Sequence, residues 1–187
     1  MNPGNPTSVT RKAMLLVCAL LFAASILAQS PNSPLPAACG PDNASLKVKL
    51  DYTAHAPAQP EPGKALVYFI HDAGTAFAHP VAYPTLRLGM DGAWVGANHG
   101  DSWFAVSVEP GEHHLCATLQ SRFVEQRMEL AHLQAEAGRV YYYRTRLVMS
   151  GTVALLELDP IDSDQAKYLI ASLPQSVFHA NVPGPKK

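Results

Sequence analysis

Residues Thr85–Leu119 read TLRLGMDGAWVGANHGDSWFAVSVEPGEHHLCATL, and the turns in that stretch decide the fold. Asp91-Gly92 separates two short runs, Thr85–Met90 and Ala93–Gly96, and is the strongest short hairpin signal a sequence offers. Pairing across it sets Leu88 opposite Val95 on one face. On the other face it sets Trp94 opposite Gly89, where the indole is expected to cover bare backbone. A second turn, Glu109-Pro110-Gly111-Glu112, joins Ser102–Val108 to His113–Leu119. Proline followed by glycine supplies the fixed φ and the positive φ of a type II turn. Counting outward from it sets Val106 opposite Leu115 and Phe104 opposite Ala117, so a second hairpin with one apolar side is expected. Cys116 then projects to the opposite face, towards the segment that carries Cys39.

Upstream, Lys64–Ile70 (KALVYFI) is short, apolar and rich in β-branched and aromatic residues, the pattern of a central strand. In Leu46–Tyr52, Leu46, Val48 and Leu50 alternate with Lys47, Lys49 and Asp51, which predicts an edge strand. Prolines fill Ala56–Gly63, and His71–Tyr83 has no period and reads as loop. Downstream, Met128–Ala137 has helix-favouring residue types, yet Ala131, Leu133 and Ala135 alternate with polar neighbours, and the alternation predicts a strand. Arg139–Met149 and Val153–Leu158 are further strands. Asp162 offers a helix N-cap with Gln165 three residues on, and Ala166, Leu169, Ile170 and Leu173 repeat at helical spacing until Pro174. Beyond Gln175 the pattern returns to loop. These elements predict an all-β, antiparallel sandwich of about seven to eight strands with a short C-terminal helix.

The N-terminus predicts the compartment. Arg11 and Lys12 precede an uncharged run, Ala13–Ala28 (AMLLVCALLFAASILA), that is shorter than the roughly 20 residues a membrane span requires. A positive region, a short apolar core and a small-residue exit form a secretory signal, so residues 1–28 are expected to be removed. Residues 29–38 form a linker, 39–176 the sandwich and 177–187 a flexible tail. The mature protein is then periplasmic or secreted with no membrane span; the alternative is an uncleaved N-terminal anchor. Lipidation at Cys18 is disfavoured by Val17 before it and by its place inside the apolar run. The formal net charge of −1 provides no basic field for phosphates, which argues against a nucleic-acid partner. Two cysteines remain after cleavage, Cys39 and Cys116, and in an oxidising compartment they suggest a disulfide worth about 4 kcal/mol; two free buried thiols are the alternative.

The blocks KALVYFI, PTLRLGMDGAWVGAN, SWFAVSVEPGEHHLCA, AEAGRVYYYR and LDPIDSDQAKYLIAS together resemble, in order and spacing, an exported bacterial family of the domain-of-unknown-function 2846 type. The resemblance spans Cys39 to Ser176. It implies an envelope protein with a prealbumin-like sandwich, often lipid-anchored, and brings no catalytic residues to carry over.

Residues able to carry chemistry are few. His113 and His114 are adjacent, so on a strand their rings point to opposite faces and do not chelate one ion together. His113 is expected at the rim of the core, bonded to a turn carbonyl. His71, His79 and His99 are the candidates for a loop-borne metal site, although no H-E-x-x-H or H-x-H spacing supports them. No G-x-S-x-G elbow and no phosphate loop are present, and nothing calls for a cofactor. Trp94, Trp103, Tyr141 and Tyr143 either form an aromatic binding face or pack in the core. The expected function is a non-catalytic envelope module that recognises a protein or a glycan; the alternative is a small metal-dependent hydrolase built on the loop histidines.

Overall fold

A computed structural model describes residues 37–53, 59–72, 85–120, 128–150 and 153–181. The expected signal segment, residues 29–36 of the linker, residues 182–187 of the tail and the stretch 73–84 with His79 lie outside the described residues. Among the described residues, ten strands and one helix form: β1 (Ser45–Asp51), β2 (Ala65–His71), β3 (Thr85–Met90), β4 (Ala93–His99), β5 (Ser102–Val108), β6 (Gly111–Gln120), β7 (Met128–Ala135), β8 (Val140–Ser150), β9 (Val153–Pro160), α1 (Ser163–Ser172) and β10 (Gln175–Asn181). They build an all-β sandwich. One sheet has the order β1-β10-β5-β2-β8-β9 and the other β4-β3-β6-β7. No helix among the described residues is long and apolar enough to cross a membrane.

The core lies between the sheets. Val67 and Phe69 of β2, Phe104 of β5 and Tyr143 of β8 meet Leu86 and Leu88 of β3 and Leu115 and Ala117 of β6. The opposite face of β2 is also covered: Leu66, Tyr68 and Ile70 pack with Trp103 against Ala166 and Ile170 of α1. A strand buried on both faces has no polar side to alternate with, which is why KALVYFI reads as one apolar run. Asp162 caps α1 as expected, its carboxylate accepting from the backbone N–H groups of Asp164 and Gln165, each at 2.9 Å. Those bonds hold its carboxyl below the usual carboxylate range.

Four details depart from the sequence reading. First, β5 and β6 are not a hairpin. β5 pairs with β2 and β10 in the larger sheet, while β6 pairs with β3 and β7 in the smaller one. Pro110-Gly111 carries the chain across the core, Gly111 taking a φ of 141°. Phe104 and Ala117 do face a common interior, but from opposite layers. Second, the β3–β4 turn has the two positive φ values of a type I′ turn, 50° at Asp91 and 87° at Gly92. Trp94 pairs with Gly89 as expected, but a register shift after Leu88 puts Leu88 opposite Gly96 instead of Val95. Third, the sandwich is mixed, since β2 runs parallel to β8 and β10 parallel to β5. Fourth, β10 occupies residues expected to be loop and tail, pairing with β1 from Ser45↔Asn181 to Asp51↔Gln175. Its inward position 176 is a serine whose hydroxyl donates to Ser102 Oγ at 2.8 Å, so burial there left no apolar mark in the sequence.

Candidate functional site

The outer face of the smaller sheet carries the features that distinguish this molecule from a plain scaffold. Side chains alternate along β6, so Glu112, His114, Cys116, Thr118 and Gln120 share that face. Cys116 meets Cys39 there, and the two form a disulfide with a Cα–Cα distance of 5.3 Å. The bond staples the segment before β1 across the sheet. Gly89 makes the close approach possible, because a Cβ at that position would lie 2.9 Å from the Ala38 carbonyl oxygen. The indole of Trp94 therefore covers Gly40, while Gly89, the position expected beneath the indole, is covered by Ala38 and Cys39. Trp94 Nε1 donates to the Pro41 carbonyl at 2.9 Å. The Arg87 guanidinium stands 4.4 Å from the Trp94 ring centre and donates to the Ala44 carbonyl at 3.2 Å.

Beside this strap, towards β7, lies a depression of about 460 Å³. Its lining is mainly apolar (Ala37, Ala38, Leu115, Leu130 and Ala131), with Asp91 and His114 supplying polar atoms. Leu130 is 54% exposed, and it stands at the wall of this apolar depression rather than alone on the surface.

Next to the depression, the antiparallel register of β6 and β7 sets His114 directly opposite His132. The two rings are 5.2 Å apart between centroids. Both Nε2 atoms point at one carboxylate oxygen, Glu112 Oε1, from 2.8 Å for His132 and 3.5 Å for His114. The bond with His132 holds the Glu112 carboxyl below the usual range. Among the described residues this is the grouping whose donor atoms converge as metal ligands do, all within 4.8 Å of one another.

His113, on the other face of β6, sits at the rim as expected. Its Nε2 lies 2.8 Å from the Glu109 carbonyl and its Nδ1 lies 2.6 Å from Asp91 Oδ2. Partial burial works against the charged ring, but the bond to Asp91 and the turn carbonyl outweigh it and raise the pKa. With both ring nitrogens engaged, His113 anchors one β-turn to the next.

No family model, curated protein or solved structure matches the chain. The geometry redistributes the residues named from sequence. Trp103, 1% exposed, lies under α1 with Nε1 donating to the Leu173 carbonyl at 3.0 Å. Tyr143 is buried between the sheets, its hydroxyl donating to the His132 carbonyl at 3.0 Å. Tyr141 packs against the same core and its hydroxyl accepts the Glu136 N–H. Trp94 lies under the strap. The four rings sit in three environments, so they do not form one aromatic platform: each is more stable burying its apolar body and satisfying its polar tip on a carbonyl or N–H.

The loop histidines separate in the same way. His71 is fully buried at the end of β2, with Nδ1 3.0 Å from the Thr145 carbonyl. Burial lowers its pKa against the pull of that carbonyl and of Asp101 and Asp72. His99 Nδ1 lies 3.2 Å from Thr85 Oγ1. Neither joins the convergent group, and His79 lies outside the described residues. Sequence reading missed His132. The only signal for it was that His114 and His132 both occupy outward positions of strands; that they are opposite each other follows from the β6–β7 register.

Proposed function

We propose that this chain is an exported, non-catalytic binding module of the cell envelope that recognises a protein partner through the outer face of its smaller sheet. One observation carries the reading: an apolar depression with an exposed leucine, Leu130, lies beside a strap held by a disulfide. A pre-formed, disulfide-braced depression costs little ordering entropy when an apolar side chain of a partner fills it, and Asp91 and His114 supply polar contacts at its margin. β7 adds a second element, because it is an edge strand of its sheet, and edge strands can offer backbone groups for pairing. Burial of Trp103 and Tyr143 takes two of the four candidate stacking rings out of a sugar's reach, which favours a protein over a sugar at this face. Support for an exported envelope location comes from the charged-then-apolar segment ending at Ala28 and from the disulfide.

The test is affinity purification from envelope extracts, followed by mass spectrometry, with wild type and Leu130→Glu side by side. The expected result is a protein retained by the wild type and lost by the variant, while the two melt at the same temperature. Equal recovery by both, or no protein enriched by either, refutes the proposal.

A further inference from the structure

We infer that Glu112, His114 and His132 form a binding site for a divalent transition-metal ion, with zinc as the fitting probe. The inference goes beyond the docking face and does not depend on it. Two arrangements of the backbone and one of the side chains build the site. Glu112 and His114 are two residues apart on β6 and so emerge on the same face. His132 is the cross-strand partner of His114, which brings its ring alongside from β7. The two imidazoles then aim Nε2 at the same carboxylate oxygen.

That convergence is what a metal ion uses. In a tetrahedral zinc site with bonds of about 2.0–2.1 Å, neighbouring donor atoms lie about 3.3 Å apart. Here the two donor separations to Glu112 Oε1, 2.8 and 3.5 Å, straddle that value, and all three donors already fall within 4.8 Å. Side-chain rotation alone brings them to bonding geometry, since the three are surface groups. In the Nδ1–H tautomer each imidazole presents an Nε2 lone pair, and both Nε2 atoms are directed to one carboxylate oxygen, as a shared cation requires. Two nitrogen donors and one carboxylate select a zinc-like ion over magnesium or calcium, which prefer oxygen alone. Three protein ligands leave a fourth position open. His114 also lines the depression, so that position is within reach of whatever occupies it.

The experiment measures zinc uptake by the full chain from a buffered free-zinc series, with the melting temperature recorded at each step. Wild type is expected to take up one zinc per chain and to melt higher as zinc rises. Each of His114→Gln and His132→Gln is expected to weaken uptake by at least about tenfold, and the pair together to abolish both uptake and the rise in melting. His179→Gln, on β10, is the control and should bind as wild type does. Magnesium in excess should not compete. All three altered residues are exposed, so the variants are expected to melt with wild type when zinc is absent. Wild type that takes up no zinc, or a double variant that takes up as much as wild type, overturns the inference. Either result leaves the docking face to be judged by its own test.

Discussion

Gly96 sits where β4 turns its inner face to the ring of Phe104, and a methyl group there would collide with that ring. The ring has no easy retreat, because Phe69 stacks on it at 5.3 Å and Phe178 meets its edge at 5.7 Å. Gly96→Ala is therefore expected to lower stability by about 1–3 kcal/mol, read as a fall in the urea midpoint; an unchanged midpoint would mean that the core has slack at this point. His71 supports a second expectation. Its folded pKa is lowered by burial, so the unfolded chain binds the proton first as pH falls. The stability it contributes is present above the ordinary histidine value of about 6.5 and drains away below it. Urea midpoints measured from pH 7.5 down to pH 5 should fall more steeply for wild type than for His71→Gln; parallel slopes would refute this. The residue scale was partly legible. The rim position of His113 and its bond to a turn carbonyl follow from parity and proximity to the turn. The pairing of His114 with His132 does not, since nothing in either residue records which strand lies beside it.

At the scale of elements, the strap over β3 and β4 depends on one covalent bond. Cys39 and Cys116 are 77 residues apart, and closing a loop of that length removes unfolded-state entropy worth about 4 kcal/mol in the chain-entropy account. Replacing both cysteines by alanine should lower stability by roughly that amount. It should also free the Gly92 amide, which donates to the Ala38 carbonyl, to exchange faster. Trp94 fluorescence should shift to the red as the ring loses Gly40 and the Pro41 carbonyl. A variant with wild-type exchange at Gly92 would show that packing, without the bond, holds the strap. Element positions were readable almost throughout, including β7, where alternation outweighed helix-favouring residue types. β10 was not, because its inward positions pair Phe178 with a buried Ser176 whose hydroxyl a neighbouring serine satisfies, which breaks the apolar alternation that marks a strand. The β5–β6 error had a different cause. An alternating strand announces only that one side is buried, and two strands meeting across a core satisfy that as well as two lying edge to edge.

For the whole molecule, β2 is the shared member. One face joins the inter-sheet core and the other joins the layer under α1, so both layers are built on β2. Unfolding is expected to be a single transition. The two tryptophans give independent probes: Trp94 reports the strapped sheet and Trp103 the layer beneath α1. In Trp103→Phe, fluorescence from Trp94 should coincide with far-UV circular dichroism through the urea transition. In Trp94→Phe, fluorescence from Trp103 should do the same. Two separated midpoints in either variant would show that the α1 layer opens on its own.

Side-chain chemistry is local, and the sequence by itself determined much of what depends on it: the positions of nine of the ten strands, the capped helix, the tight turn at Asp91-Gly92 and two cysteines placed on compatible faces. Tertiary structure alone decided which strands became neighbours, and with them the parallel pairs, the passage from β5 into the second sheet and the meeting of His114 with His132. The physical reason is that strands pair through backbone N–H and C=O groups common to every residue. Partner choice is made by the packing of whole faces against one another, and no single strand carries a record of it.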